Sequence, residues 1–172
     1  MLGDPQVGRW LWFTPMPPEA VEEYFSPLLA EQTRVASTGQ EPTTAVFAVE
    51  SPDGEFLGQG AAVAVNGSPL GFEIGFQLCR RAWGRGVGTR LGRFVSAYAI
   101  HRCGAYRLEA SCLEGNTGSR RILEGLGLKL EGVRPGYRLK ETVRHTDLHF
   151  GAETASLDLT EIDELAQAVG IL

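Results

Sequence analysis

The chain has 172 residues, a length that favours a single domain with a sizeable hydrophobic core. Its hydrophobic fraction of 43% and charged fraction of 22% are typical of soluble globular proteins. A formal net charge of −5 argues against nucleic acid as a partner, and no segment is long and apolar enough to span a membrane. The three cysteines lack metal-type spacing, so we expect reduced thiols and a cytoplasmic protein.

The first third of the chain predicts a helix followed by three strands. Apolar residues recur at helical spacing from Pro18 to Gln32, and Pro27 is expected to kink or cut this helix. The aromatic cluster Trp10–Phe13 before it suits either core packing or the wall of an acceptor pocket. The three strands are Thr43–Glu50, Phe56–Val65 and Phe72–Leu78. Because short turns join them, they predict an antiparallel meander.

The rest of the chain alternates helices and strands. A helix over Gly88–Cys103 is followed by a strand over Arg107–Leu113, and this order favours a parallel strand pair with a crossover helix. The later elements are a helix over Asn116–Gly127, a hairpin of Lys129–Tyr137 and Val143–Phe150, and a terminal helix within Leu157–Leu172, capped at Asp158 or Thr160. We expect one domain over residues 1–172, in which 152–172 form a C-terminal extension.

A glycine-rich turn, Trp83–Arg90, lies between the third strand and the helix that follows it. In a strand–turn–helix arrangement, backbone N–H groups and the helix N-terminus converge on an anion. The turn lacks the Gly-Lys-Ser/Thr of a Walker loop and the dinucleotide fingerprint. The residues alone leave two interpretations open, a phosphate-binding cradle and a structural turn.

Three potential metal ligands, His145, Asp147 and His149, alternate along one face of a predicted strand. At about 3.3 Å per residue the two histidines lie roughly 13 Å apart, which is too far to share one ion. We therefore expect no metal.

Two sequence blocks resemble the GNAT superfamily of acyl-CoA-dependent N-acyltransferases. They are Glu73–Leu78 with Trp83–Thr89, and Asn116–Leu128 with Glu131–Val133. The resemblance covers roughly residues 3–150 and is strongest to the ribosomal-protein N-terminal acetyltransferases and their small-molecule relatives. It implies an α/β fold with a mixed, V-shaped sheet of about six strands flanked by helices.

The resemblance also implies that acetyl-CoA serves as cosubstrate, entering where the Phe72–Leu78 and Arg107–Leu113 strands part. The residues implied to bind it are Leu78, Cys79, Arg80, Arg85, Gly86, Val87, Gly88, Thr89, Arg90, Asn116 and Ser119. Asn116 is equally suited to cap a helix, and the two roles are compatible.

The chain departs from the family pattern at its N-terminus, where the first strand is missing. An exposed sheet edge leaves backbone groups unpaired unless something covers it. The segment Leu157–Leu172, a partner chain in a homodimer, or a misplaced start would each account for the departure.

Acetyl transfer needs a neutral amine, and alkyl amines with a pKa near ~10 are mostly charged at neutral pH. Glu73 is the first candidate for the base, with a surface salt bridge as the alternative role. Many relatives place a tyrosine acid where this chain has Leu123, which cannot donate a proton. The subgroup has a serine at Ser119 that is suited to hydrogen-bond the sulfur, or else it only starts the helix. Backbone N–H near Leu78 is implied to stabilise the oxyanion.

We therefore expect an acetyl-CoA-dependent N-acetyltransferase that acts by direct attack on a primary amine of a protein N-terminus or a small molecule. Two other interpretations remain, a non-catalytic acyl-CoA-binding or sensing module and a nucleotide-binding regulator. The acceptor itself is beyond the sequence, because acceptor walls come from variable loops.

Overall fold

The computed structural model describes residues 1, 3–13 and 16–172. The helices are α1 (Pro5–Gly8), α2 (Pro18–Ala36), α3 (Val87–Ala97), α4 (Thr117–Gly125) and α5 (Thr160–Ala168). The strands are β1 (Thr44–Glu50), β2 (Phe56–Ala64), β3 (Gly71–Leu78), β4 (Arg107–Leu113), β5 (Lys129–Lys140) and β6 (Val143–Glu153). They form one six-stranded sheet in the order β1-β2-β3-β4-β6-β5. The predicted α/β fold with a mixed sheet is confirmed.

The sheet divides at its centre, between β3 and β4. These two strands run parallel and pair only where Gly71–Glu73 lies beside Arg107–Glu109. Every other neighbouring pair in the sheet is antiparallel. Beyond Glu73 the ladder stops, so the C-terminal halves of β3 and β4 face each other without strand hydrogen bonds. The result is a gap in the middle of the sheet.

The hydrophobic core lies on one face of the sheet, beneath the helices. Leu91 and Val95 of α3 are buried against Ile74, Leu108 and Phe150 of the strands, as the alternation along β3 and β4 predicts. Ile162 and Ala166 of α5 join the same cluster. The opposite face of β4 carries Arg107, Glu109 and Ser111, because side chains alternate along a strand. One face is therefore apolar and the other is polar.

Of the two predicted effects of Pro27 on the first helix, a cut is wrong, because α2 runs through Pro27 from Pro18 to Ala36. Proline removes one backbone hydrogen bond and frees the carbonyl four residues earlier. Pro27 and Glu23 both lie on the exposed side of α2, where water can satisfy that carbonyl. The helix therefore tolerates the proline.

Two other elements differ in their boundaries from the sequence-based expectation, the helix after the glycine turn and the last hairpin. The helix expected to reach Cys103 ends at Ala97 and continues as a π-helical turn over Tyr98–Arg102. The last hairpin is longer than predicted at both strands, ending at Lys140 and Glu153. The terminal helix predicted within Leu157–Leu172 is present as α5. Its N-cap position is Leu159 and not Asp158 or Thr160, although Asp158 accepts from the Thr160 N–H at 3.0 Å just before the helix. None of the helices among the described residues is long and apolar enough to cross a bilayer.

The outer edge of β1 has no strand beside it in the described part of the chain, and α2 covers it in part. The Gln32 side chain accepts from the Val46 N–H at 2.9 Å and donates to the Val46 carbonyl at 3.2 Å. Its amide thus makes the two hydrogen bonds that a neighbouring strand would make. The segment Leu157–Leu172, one candidate for covering this edge, instead packs α5 against α3.

We expect the Gln32→Met substitution to lower the free energy of unfolding by about 1–2 kcal/mol. Methionine keeps the side-chain length but cannot hydrogen-bond Val46, and a lost hydrogen bond costs about this much. Chemical denaturation measures the change. Gln40→Met, at an exposed loop position, is the control. Equal stability of the Gln32 variant and the wild type would contradict this role of Gln32.

Candidate active site

A cavity of about 700 Å³ opens where β3 and β4 part. Its walls come from the N-terminal segment, from β2, β3 and β4, from the glycine turn, and from the start of α4. The lining side chains with polar atoms include Gln59, Glu73, Gln77, Trp83, Thr89, Ser111, Asn116, Thr117, Ser119, Arg121 and Asp147. The apolar part includes Val7, Trp10, Leu11, Ile74, Phe76, Leu78 and Ile122.

The β3 wall offers backbone hydrogen-bonding groups to this gap. The Cys79 N–H donates to the Leu57 carbonyl at 2.8 Å, on the β2 side. Because hydrogen-bonding direction alternates along an antiparallel strand, the groups of Phe76 and Leu78 point the other way, toward β4. The Leu78 carbonyl there accepts from the Trp83 indole at 3.1 Å. The Leu78 N–H thus faces the gap, as an extended ligand or an oxyanion requires.

The start of α3 forms the second wall. Gly86, just before the helix, has a φ of 77°, a conformation that glycine adopts without strain, and no side chain caps the helix. The first N–H groups of a helix have no intrahelical partner. A Cβ at Gly86 would meet no atom within 4 Å, so the space beside these groups is open. Uncapped donors at a helix N-terminus fit a diphosphate.

The residues predicted to bind the cosubstrate divide into two groups. Leu78, Gly86, Gly88, Thr89, Asn116 and Ser119 line the cavity. Cys79, Arg80, Arg85, Val87 and Arg90 are not among its lining residues. Cys79 is buried and its N–H is already bonded to β2, so it has no donor left for a ligand. The arginine side chains are exposed and lie outside the cavity wall.

The start of α4 combines the two roles considered for Asn116. Its side-chain oxygen accepts from the Ser119 N–H at 3.2 Å, so it caps the helix while it also lines the cavity. Ser119 lines the cavity as well. Leu123, where many relatives have a tyrosine, is 1% exposed and packs in the core. No proton donor therefore stands at that position.

Glu73 reaches the cavity from the last paired position of β3. It lies beside Glu109 of β4 in the parallel register, and parallel neighbours point to the same face of the sheet. Glu73 is exposed and makes no ion pair among the described residues. This leaves its carboxylate available to a ligand, whereas the surface salt bridge considered from the sequence is not formed.

The sequence did not identify a polar cluster of β4, β5 and β6 that borders the cavity. Asp147 is 1% exposed, lines the cavity, and is held by Arg134 and by Arg138, whose Nε lies 2.9 Å from Oδ1. Ser111 lines the cavity one strand away. The alternation of Asp147 with two histidines in the sequence indicated that polar groups share one face of a strand. Only the strand register reveals which residues Asp147 contacts.

The aromatic cluster near the N-terminus borders the cavity. Leu11 is buried, Trp12 is 54% exposed, and both line the cavity together with Trp10. The Lys140 ammonium donates to the Gly8 carbonyl and ties this segment to the end of β5. This arrangement matches the pocket-wall interpretation of the cluster better than simple core packing.

Comparison with known proteins is consistent with this geometry. The family described as acetyltransferase (GNAT) domain matches residues 1–129. A protein named Probable N-acetyltransferase YjcK, from Bacillus subtilis (strain 168), is 38% identical over 60 residues, which are 35% of this chain and 33% of that protein. The match thus spans about a third of that relative's length.

Solved structures share the fold at low sequence identity. RimJ of Mycobacterium smegmatis in complex with CoA-disulfide has a TM-score of 0.70 and 21% identity, over 96% of this chain and 78% of that one. A spermidine N-acetyltransferase SpeG mutant from Vibrio cholerae has a TM-score of 0.66 and 13% identity, over 81% of this chain and 78% of that one. The family match covers most of the chain, and it confirms the predicted GNAT domain. The chain belongs to the acetyltransferase (GNAT) family.

Proposed function

We propose that this protein is an acetyl-CoA-dependent N-acetyltransferase whose acceptor is a primary amine of a protein N-terminus or a small molecule. The observation that carries the proposal is the cavity between the parted strands, which is lined by the start of α3, with its uncapped N–H groups, and by the carboxylates of Glu73 and Asp147. RimJ, which shares the fold, was solved with CoA-disulfide. Acetyl-CoA, when bound, supplies an acetyl thioester.

The N-terminal turn of α3 would hold the diphosphate, and the open edge of β3 near Leu78 would pair with the extended pantetheine. Thr89, Gly86 and Gly88 line this part of the cavity. Asn116 and Ser119 at the start of α4 border the same space, and Ser119 carries the hydroxyl proposed to face the sulfur. Arg121 on α4 adds a positive charge that suits a phosphate-rich ligand.

The acceptor end of the cavity suits a positively charged amine. Glu73 lines it with a carboxylate that makes no ion pair with any residue the structure describes, and this carboxylate would attract the ammonium group and take its first proton. The aromatic side chains of Trp10 and Trp12 form part of the cavity wall, where Arg9 stacks over Trp10 and Arg138 over Trp12. SpeG, a second protein with this fold, is named for an amine acceptor, spermidine.

Direct attack by the amine is favoured over a covalent acyl-enzyme. Cys112 is the cysteine that lines the cavity, and burial, reinforced by the nearby Asp147 charge, raises the pKa of its thiol to about 11. At neutral pH it is therefore a thiol, whereas the thiolate is the nucleophile. Cys112 lacks the activation that an acyl-enzyme mechanism needs.

We expect Cys112→Ala to keep kcat/KM within about threefold of the wild type, because no bond to the sulfur forms. Steady-state thiol release measures the rate, and intact-protein mass spectrometry after mixing with acetyl-CoA tests for an acetylated chain. Alkylation of Cys112 should accelerate as the pH rises toward 11. Loss of activity in the variant together with an acetylated wild-type chain would overturn direct attack.

The proposed function is tested by measuring coenzyme A release against a panel that contains polyamines, amino acids, aminoglycosides and peptides with free N-termini. Turnover of one class identifies the acceptor. If acetyl-CoA binds by calorimetry but no amine in the panel releases coenzyme A, the protein is an acyl-CoA-binding module instead. Displacement of coenzyme A by ATP or NAD would favour a nucleotide-binding regulator.

A further inference from the structure

A row of polar side chains crosses the polar face of the sheet beside the cavity. Ser111 of β4 lines the cavity, and its hydroxyl oxygen lies 3.3 Å from Nδ1 of His149 on β6. Nε2 of the same imidazole lies 3.7 Å from a carboxylate oxygen of Glu109. The register places Ser111 directly opposite His149. The row therefore leads from the cavity wall, through an imidazole, to a carboxylate.

The direction of the hydrogen bonds in this row follows from the groups around it. Nη2 of Arg134 donates to the Ser111 hydroxyl oxygen at 3.1 Å, and a guanidinium can only donate. The Ser111 O–H is then free to donate to Nδ1 of His149. The tautomer consistent with both contacts of the ring carries its hydrogen on Nε2, which lies 3.7 Å from Glu109, and accepts from Ser111 at Nδ1.

Arg134 is in turn oriented by the buried carboxylate of Asp147. Nε of Arg134 lies 2.9 Å from Oδ2 of Asp147, and a second guanidinium, that of Arg138, holds the other carboxylate oxygen. A buried charge is retained only where partners compensate it. Asp147 and Arg134 are thus positioning residues, because they determine which way the Ser111 hydroxyl points.

Ser111 also has capacity for a ligand in the cavity. A hydroxyl oxygen accepts two hydrogen bonds, and Arg134 occupies one of these sites. Glu73, on β3, is the register partner of Glu109, which precedes Ser111 by two residues on the same face of β4. Glu73 and Ser111 therefore lie diagonally across the widening gap, and an amine between them can contact both.

Formation of an amide from an ammonium group removes two protons from nitrogen. Glu73 is suited to take the first, before attack. The second must leave as the C–N bond forms and the C–S electron pair departs with sulfur. One of the two protons finally resides on the coenzyme A thiol and the other passes to water, so the balance closes without a further reactant.

We propose that Ser111, His149 and Glu109 form a proton relay that receives the second proton. The Ser111 oxygen takes the proton from nitrogen while its own proton moves to Nδ1 of His149. The resulting imidazolium is stabilised by the Glu109 carboxylate until its proton passes to water. Serine is then the group that contacts the substrate, and His149 acts through it. The relay rests on the proposed N-acetyltransferase function.

The relay requires a neutral His149, so its charged surroundings matter. The charged and titratable groups on this face of the neighbouring strands are Glu73 on β3, Arg107 and Glu109 on β4, Glu131, Arg134 and Arg138 on β5, and His145 and Asp147 on β6. Of these groups, the Glu109 carboxylate lies 3.7 Å from Nε2 of the ring.

The first test uses the protein without any ligand. Imidazole ¹⁵N NMR should show His149 as the Nε2–H tautomer with an unprotonated Nδ1. The Nδ1 resonance should shift in Ser111→Ala and hardly at all in His101→Gln. His101 pairs with Asp163 on the helical side of the sheet and is the matched control. A His149 hydrogen on Nδ1, or a spectrum unchanged by Ser111→Ala, would overturn the relay.

The second test is kinetic and uses the acceptor found for the wild type. Ser111→Ala and His149→Gln should each lower kcat/KM about 10- to 100-fold, with unchanged coenzyme A affinity. The His149 variant should also lose one ionisation from the acidic limb of its pH–rate profile, whereas His101→Gln keeps it. Because the two groups act in series, the double variant should be no slower than either single one.

The relay would be contradicted if the kcat/KM losses of the two single variants multiplied in the double variant. It would also be contradicted if His149→Gln left the acidic limb of the pH–rate profile unchanged. Thermal unfolding of each variant separates a folding defect from a lost relay, and the Ser111 substitution supplies a second variant if His149→Gln fails to fold. If the wild type acetylates no amine, the proposed function fails, whereas the NMR result still decides whether the hydrogen-bonded row exists as described.

Discussion

Glu73→Gln should lower kcat/KM for the amine acceptor by about 10²-fold or more. Glutamine keeps the size of the side chain but cannot take a proton, so the acceptor would remain an ammonium group. Glu73 lines the cavity at the last paired position of β3, with no ion pair to hold it among the described residues. Steady-state coenzyme A release between pH 6 and 10 measures the effect. The deficit should shrink at high pH, where the amine is neutral in solution.

The matched control is Glu50→Gln, which removes an exposed carboxylate of β1 that does not line the cavity. It should leave kcat/KM unchanged within about twofold. Calorimetry should show equal coenzyme A affinity for the wild type and the Glu73 variant, because Glu73 is proposed to contact the acceptor and not the diphosphate. A Glu73 variant that turns over at the wild-type rate would remove Glu73 from the mechanism.

Thr89→Glu should weaken coenzyme A binding by about 10²- to 10³-fold or abolish it. Thr89 is the third residue of α3 and lines the cavity where the diphosphate is proposed to bind. A carboxylate there repels a diphosphate a few ångströms away, by several kcal/mol at an effective dielectric constant of about 20. The same negative charge is favourable at a helix N-terminus, so α3 itself should be slightly stabilised.

Opposite effects on binding and on stability make this test specific. Titration calorimetry measures the affinity and thermal unfolding measures the fold, and Thr89→Gln is the neutral control of the same size. We expect the glutamine variant to bind within a few-fold of the wild type. Equal affinities of the Glu and Gln variants, with both folded, would show that the anion does not bind at the start of α3.

Much of the fold was predictable because its signals are local. Alternation along β3 and β4 identified the buried face, and the glycines around Gly86 marked the strand–turn–helix connection that sits at the cavity. Both depend on residues a few positions apart. The rule that proline cuts a helix is also local, and it failed at Pro27. Whether a helix tolerates proline depends on whether water reaches the freed carbonyl, and exposure is a tertiary property.

The sequence by itself determined the order of the elements, the apolar and polar faces of the strands, and the glycine turn that begins a helix. Only the tertiary structure decided which polar side chains meet. Ser111 and His149 are 38 residues apart, and their contact depends on the β4–β6 register. Asp147 meets Arg134 across a hairpin whose register shifts twice. A shift of one residue turns a side chain to the opposite face, so such contacts follow from the pairing of strands and not from spacing along the chain.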